Sequence, residues 1–141
     1  MEQTNKKVSL LRIVAATIYD SILMLGVWFL VGSLALAVKF IFTGEVSSLN
    51  PIAGMSLVIL STWLYFAMFW MYGGKTLGMS SWKLRIVSQD GNQITIIQTI
   101  IRFLSNIFTI SLAGIPLFLR RKNKNDRSLS DILSRTSIIS D

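Results

Sequence analysis

The sequence predicts an all-α membrane protein with two transmembrane helices, a third hydrophobic segment that is either a re-entrant or tilted stretch or a third span, and a small cytoplasmic β-hairpin. Three observations carry this expectation. Of 141 residues, 52% are hydrophobic and 15% charged, against about 25% charged in an ordinary soluble domain. The apolar residues stand in long unbroken blocks, whereas a soluble domain spreads them as one face of each element. Finally, 14 Lys+Arg against 7 Asp+Glu give a net charge of +7, and the basic residues flank the blocks as they do around membrane helices. A chain of this length forms one domain, residues 1–141.

The first block, Ser21 to Val38, runs 18 residues without a charge, long enough to cross most of a bilayer at 1.5 Å per residue. Apolar residues continue it backward around Arg12 and Asp20, so the first span is expected over about residues 8–38. Ala35-Leu36-Ala37 looks like a signal-peptide cleavage site, but the apolar run is too long for a signal peptide and Asp20 lies inside it, so a retained helix is expected. The second block, Val46 to Gly74, is uncharged for 29 residues. Pro51 suits the first turn of a helix, and the second span is expected over about residues 51–71. The third block, about residues 95–119, holds Arg102, then 17 uncharged residues to Leu119 with Gly114 and Pro116 near their end.

The basic residues give the orientation. Lys6, Lys7 and Arg12 precede the first span; the first loop has Lys39 against Glu45; the second has Lys75, Lys83 and Arg85 against Asp90. The N-terminus and second loop are therefore expected in the cytoplasm. The tail, residues 120–141, carries Arg120, Arg121, Lys122, Lys124, Arg127 and Arg135, and a simple third crossing would put this densest basic cluster outside. An interfacial helix around Arg102 followed by a returning segment removes the conflict and leaves the C-terminus cytoplasmic. A weak internal repeat agrees: Lys75-Thr76-Leu77 aligns with Arg127-Ser128-Leu129 at an offset of 52, continuing to Lys83 over Arg135 and Ile86-Val87-Ser88 over Ile138-Ile139-Ser140.

In the second loop, Lys83 to Ser88 alternates, Asp90-Gly91 is a two-residue hairpin signal, and Gln93 to Ile96 alternates again. This predicts the hairpin, to which Thr136 to Ser140 can add a third strand. The aromatic group Trp63, Tyr65, Phe66, Phe69, Trp70 and Tyr72 is expected to face lipid and form an interfacial belt.

With no Cys and no His, disulfides, the usual zinc sites, thiol nucleophiles and imidazole bases are excluded. No catalytic residue, metal, cofactor or enzymatic activity is expected. The membrane accounts for the basic tail, so lipid and other membrane proteins or further copies are the expected partners, and nucleic acid is not. The residues that invite chemistry are the ionisable ones inside or beside the first and third blocks. Arg12 can snorkel to the surface. Asp20 cannot, and it needs either a buried salt bridge, from Arg102 or the basic tail, or a role as a titratable or cation-coordinating carboxylate.

At these residues the sequence resembles the RDD family of small bacterial membrane proteins, named for one arginine and two aspartates. The resemblance rests on Arg12, Ala15-Ala16 and Asp20; on Gly74-Lys75-Thr76-Leu77-Gly78, followed by Leu84-Arg85-Ile86-Val87 and Asp90-Gly91; on Arg102; and on Arg127, Leu129, Asp131, Thr136 and Ile138-Ile139. Lys75, Met79 and Ser134-Arg135 depart from the family's usual residues. The resemblance implies a charge network of Arg12, Asp20, Asp131, Arg102 and Arg127, with Asp131 beside Arg12, and a motif loop of Gly74, Thr76, Leu77 and Gly78. As biochemistry it implies only transport, cation/proton exchange included. Two functions are therefore expected to compete: action by association, as a homo-oligomer or accessory subunit of an envelope complex, and cation/proton antiport by Asp20 in an oligomer.

Overall fold

The computed structural model describes residues 8–111 and 129–140. In chain order these form α1 (Leu10–Thr43), α2 (Pro51–Gly73), α3 (Leu77–Ser81), β1 (Leu84–Ser88), α4 (Ile96–Ser111), α5 (Leu129–Leu133) and β2 (Thr136–Ser140). The chain is mostly helical, with a small two-stranded sheet.

α1 and α2 are both long and apolar enough to cross a membrane. α1 has 34 residues, about 51 Å at 1.5 Å per residue. It ends at Gly44, whose φ of 69° is the left-handed conformation that glycine adopts without a Cβ penalty, and whose N–H donates to the Phe40 carbonyl. α2 has 23 residues, about 35 Å, which matches the roughly 30 Å hydrocarbon core. Its start is set by Asn50, whose Oδ1 accepts the Ile52 amide at 2.9 Å, and by Pro51 in the first turn. Both helices end later than the sequence predicts, α1 at Thr43 rather than near Val38 and α2 at Gly73 rather than near Met71. α1 is the longer of the two, and its first turns run past the end of α2.

That offset sets the level of Asp20. The Trp28 indole donates to Thr62 Oγ1 at 2.8 Å, and the two helices run antiparallel. Asp20, eight residues before Trp28, therefore lies level with Trp70 in the last turn of α2, near the end of that apolar helix rather than at its middle.

Below the end of α2 the remaining elements form one packed layer. α3 packs on α1, α4 on α2 and α5, and β1 pairs with β2. The core joins Ile13, Ala16, Trp70, Met79, Leu84, Ile86 and Ile94, with Val8, Phe66 and Ile138 against it. Alongside this apolar core, α1, α4 and α5 bury polar groups while much of their apolar surface stays exposed. In α4, Thr99 and Arg102 are buried while Ile96, Ile97, Ile100, Leu104 and Phe108 are exposed; in α5, Ser130 and Asp131 are buried while Ile132 and Leu133 are exposed. In α1, Asp20 is buried and Ile18, Ile22 and Leu25 are exposed. Polar groups inside and apolar ones outside suit a lipid surrounding.

The sheet corrects the predicted hairpin. β1 forms as expected, but its partner is β2, antiparallel in the register Leu84↔Ser140, Ile86↔Ile138 and Ser88↔Thr136. Gln93 to Ile96 is not a strand. Thr95 instead starts α4: its hydroxyl accepts the Gln98 amide while Gln98 Oε1 accepts the Thr95 amide. This reciprocal capping box is legible as Thr95-x-x-Gln98 before an apolar run, and it outweighs the alternation that suggests a strand. α4 covers 16 residues of the third block; Gly114, Pro116 and the stretch that would cross or return lie outside the described residues.

The internal repeat is structural. At the offset of 52, α3 falls on α5 and β1 on β2, end for end. Trp82 N–H donates to the Gly78 carbonyl and Lys83 N–H to Ser80; in the second unit Ser134 N–H donates to Ser130 and Arg135 N–H to Ile132. Equivalent residues Ile86 and Ile138 face each other in the ladder, so a local pseudo-twofold axis passes between them.

Candidate functional site

The motif Gly74-Lys75-Thr76-Leu77-Gly78 follows α2 directly, and its residues divide the work of turning the chain back onto α1. Gly74 sits at φ 66°, with its N–H on the Trp70 carbonyl and its own carbonyl accepting the Ile86 amide at 2.6 Å. A Cβ there would stand 2.8 Å from the Ile86 carbonyl oxygen. Thr76 caps α3 by accepting the Met79 amide at 3.2 Å. Gly78 lies directly against α1, where a Cβ would run into the Ala16 carbonyl oxygen and approach Asp20 Oδ2 to 2.8 Å. Leu77 is exposed and Lys75 half-buried.

Asp20 is fastened to this motif. It is 4% exposed; Gly78 N–H donates to Oδ1 at 2.9 Å and the Thr76 hydroxyl donates to Oδ2 at 2.5 Å. The Tyr65 hydroxyl makes a longer third approach to Oδ1 at 3.5 Å. No cation lies within ion-pair distance of Asp20 among the described residues. The salt bridge to Arg102 that the sequence suggests is therefore replaced by neutral donors: the carboxylate holds the N-terminal turn of α3 from outside the helix.

Arg102 belongs to a second cluster. Its Nη1 donates to Asp131 Oδ1 at 2.7 Å and to Thr136 Oγ1 at 2.6 Å. Arg102 is 3% and Asp131 1% exposed. Ser134 Oγ donates to the Ser130 carbonyl, so the 2.7 Å contact between Ser134 and Thr136 hydroxyls has Thr136 as donor. One chain of hydrogen bonds thus runs from Arg102 through Thr136 and Ser134 to the backbone of α5. The guanidinium lies over the Trp70 ring, 5.6 Å from its centroid, a favourable cation–π arrangement. Arg102 Nε, also buried, meets no hydrogen-bond partner among the described residues.

The implied single network is thus two clusters, both against the end of α2. Where the resemblance implies Arg12 beside Asp131, the structure pairs Asp131 with Arg102. Arg12 is exposed in the first turn of α1, and Arg127 lies outside the described residues. The aromatic group also divides: Trp70 is buried and Phe66 packs on the core, whereas Tyr72 is exposed. Tyr65 and Trp70 accordingly touch the two clusters, a role that composition alone does not distinguish from a lipid-facing belt. Thr136 and Ser134 are polar residues whose burial only the β1–β2 pairing explains.

Among the described residues no three His, Cys, Asp or Glu gather as metal ligands. The geometry suits holding elements together: one carboxylate fixes α3 to α1, and one ion pair fixes the C-terminal α5–β2 unit to α4 and α2. No curated protein and no solved structure matches the chain. Comparison with family models agrees with the order of these residues along the chain: the RDD model matches residues 9–135, and the chain belongs to the RDD family.

Proposed function

We propose that this is an inner-membrane protein that acts by association, as a homo-oligomer or as an accessory subunit of an envelope complex, and neither as an enzyme nor as a carrier of ions. The observation that carries this reading is the state of Asp20, whose two oxygens are taken by Gly78 and Thr76. A carboxylate that exchanges a proton for a cation must release its ligands in each cycle. Releasing these would undo the cap of α3 and its contact with α1. The surface supports association: beyond Met24 no residue of α1 is buried, and an apolar notch of about 220 Å³ opens between α1 and α2, lined by Trp28, Val31, Gly32, Gly54, Leu57 and Val58.

In the proposed topology both termini are cytoplasmic. Two strands that pair must share one side of the membrane, so the β1–β2 ladder supports an even number of crossings, or none, between α2 and the C-terminus. α4, at 16 residues about 24 Å long, then lies at the interface with its apolar side toward lipid.

The test is made on the complex extracted from native membrane in mild detergent and on the purified chain in liposomes. Association predicts a particle heavier than one chain and no sodium-driven response of a trapped pH dye. A monomer without companions overturns it. So does a dye response that Asp20→Asn abolishes, the result that antiport requires. A reporter fused after Asp141 should read cytoplasmic.

A further inference from the structure

Lys83 and Arg135 are the non-glycine residues with positive φ, 53° and 51°, among the described residues. They occupy equivalent places in the two repeat units, between α3 and β1 and between α5 and β2. A Cβ is disfavoured in this conformation, and glycine or asparagine usually holds such a position after a helix. Here both places hold a long cation. Each side chain is exposed, with no partner among the described residues.

Beside each cation lies exposed apolar surface: Leu77 and Trp82 in the first unit, Ile132 and Leu133 in the second. The ladder register puts the two cations beyond opposite ends of the sheet, about 20 Å apart at 3.3 Å per residue. One small anion cannot bridge them. Among the described residues the exposed acid nearby is Asp90, one residue past Gln89, whose amide donates to the Arg135 carbonyl. It makes no ion pair with Arg135, but its charge weakens that site relative to Lys83.

We propose that Lys83 and Arg135 are two separate binding sites for the phosphodiester headgroups of anionic phospholipid, in which the cation takes the phosphate and the neighbouring apolar side chains take the glycerol and upper acyl region. An ammonium binds phosphate as a point charge and a guanidinium as a two-pronged donor. Tryptophan beside a basic residue is the usual pairing at headgroup level. A free phosphate would leave Trp82, Leu77, Ile132 and Leu133 in water, so the occupant is a lipid. The inference rests on the membrane reading above, but not on the orientation.

The experiment is native mass spectrometry of the full chain in detergent micelles with equal amounts of phosphatidylglycerol and phosphatidylcholine. Adducts should favour phosphatidylglycerol, by about fivefold for each cation. Lys83→Gly with Arg135→Gly should lower the preference by about twenty-five-fold, fivefold for each site, without lowering the thermal midpoint, because glycine suits both backbone positions. Lys83→Arg with Arg135→Lys should keep it, and Lys83→Gly alone should cost more than Arg135→Gly alone. Equal adducts of both lipids, a preference unchanged in the double glycine variant, or competition by soluble glycerol phosphate at equal concentration would each overturn the proposal. A micelle has no sides, so an error in orientation leaves the result unchanged and shows only in the reporter fusion.

Discussion

Asp20 Oδ1 accepts the Gly78 amide at 2.9 Å while its other oxygen accepts the Thr76 hydroxyl, so a carboxylate on a membrane helix serves as the outer cap of a helix 56 residues further along the chain. α3 has five residues, far fewer than a helix needs to stand alone in water. It persists because Thr76 caps it from within and Asp20 from outside. Three residues of the signature, Asp20, Thr76 and Gly78, thus have one physical purpose, the seam between α1 and the turn after α2.

Asp20→Asn should destabilise the protein by about 1.5–3 kcal/mol, the usual loss when a bond to a charged acceptor is removed. The amide can still accept from Gly78, but its NH2 would face Thr76, whose oxygen already accepts the Met79 amide. Thermal unfolding in detergent measures the shift. If Asn matched Asp in stability, the capping role would be wrong.

Gly78→Ala should be more damaging than its small size suggests, because the added methyl runs into the Ala16 carbonyl and the Asp20 carboxylate. Overpacking of this kind costs about 1–3 kcal/mol. Gly26→Ala is the control: nothing lies within 4 Å of its Cβ position, and alanine in a helix interior should be neutral or stabilising by up to about 1 kcal/mol. Comparing the two thermal midpoints separates close approach from helix propensity.

Breaking the buried pair of Arg102 and Asp131 should release the C-terminal unit. Arg102→Leu or Asp131→Asn removes one side of the buried ion pair, at about 3–5 kcal/mol. Removing both partners should cost less than the sum of the two single losses. Limited proteolysis is the readout, with cleavage near residues 129–140 rising in the single variants while α1 and α2 remain protected. Additive effects would mean that the two side chains do not act as a pair.

The membrane segments are legible because hydrophobic transfer is local: Ser21 to Val38 and Val46 to Gly74 identify spans whatever surrounds them. The signature residues are legible too, as a list in order along the chain. Their partners are not. Asp20 looks like half of a salt bridge with Arg102, and Asp131 like the partner of Arg12, because charge alone names candidates without geometry. Asp90-Gly91 with flanking alternation likewise suggests a hairpin, yet a capping box at Thr95 and Gln98 claims the second half for α4.

By itself the sequence determined the family, the two apolar helices, the position of β1 and the repeat at an offset of 52, all of which depend on residue type and spacing along one stretch of chain. Only the tertiary structure decided that β1 pairs with β2, that Asp20 caps α3, and that Arg102 joins Asp131 over Trp70. These are contacts between residues 29 to 58 positions apart. Many pairings of the same charges and strands satisfy the local pattern equally, and the choice falls to the one that gives the buried Asp20, Asp131 and Thr136 their partners while leaving apolar faces to lipid.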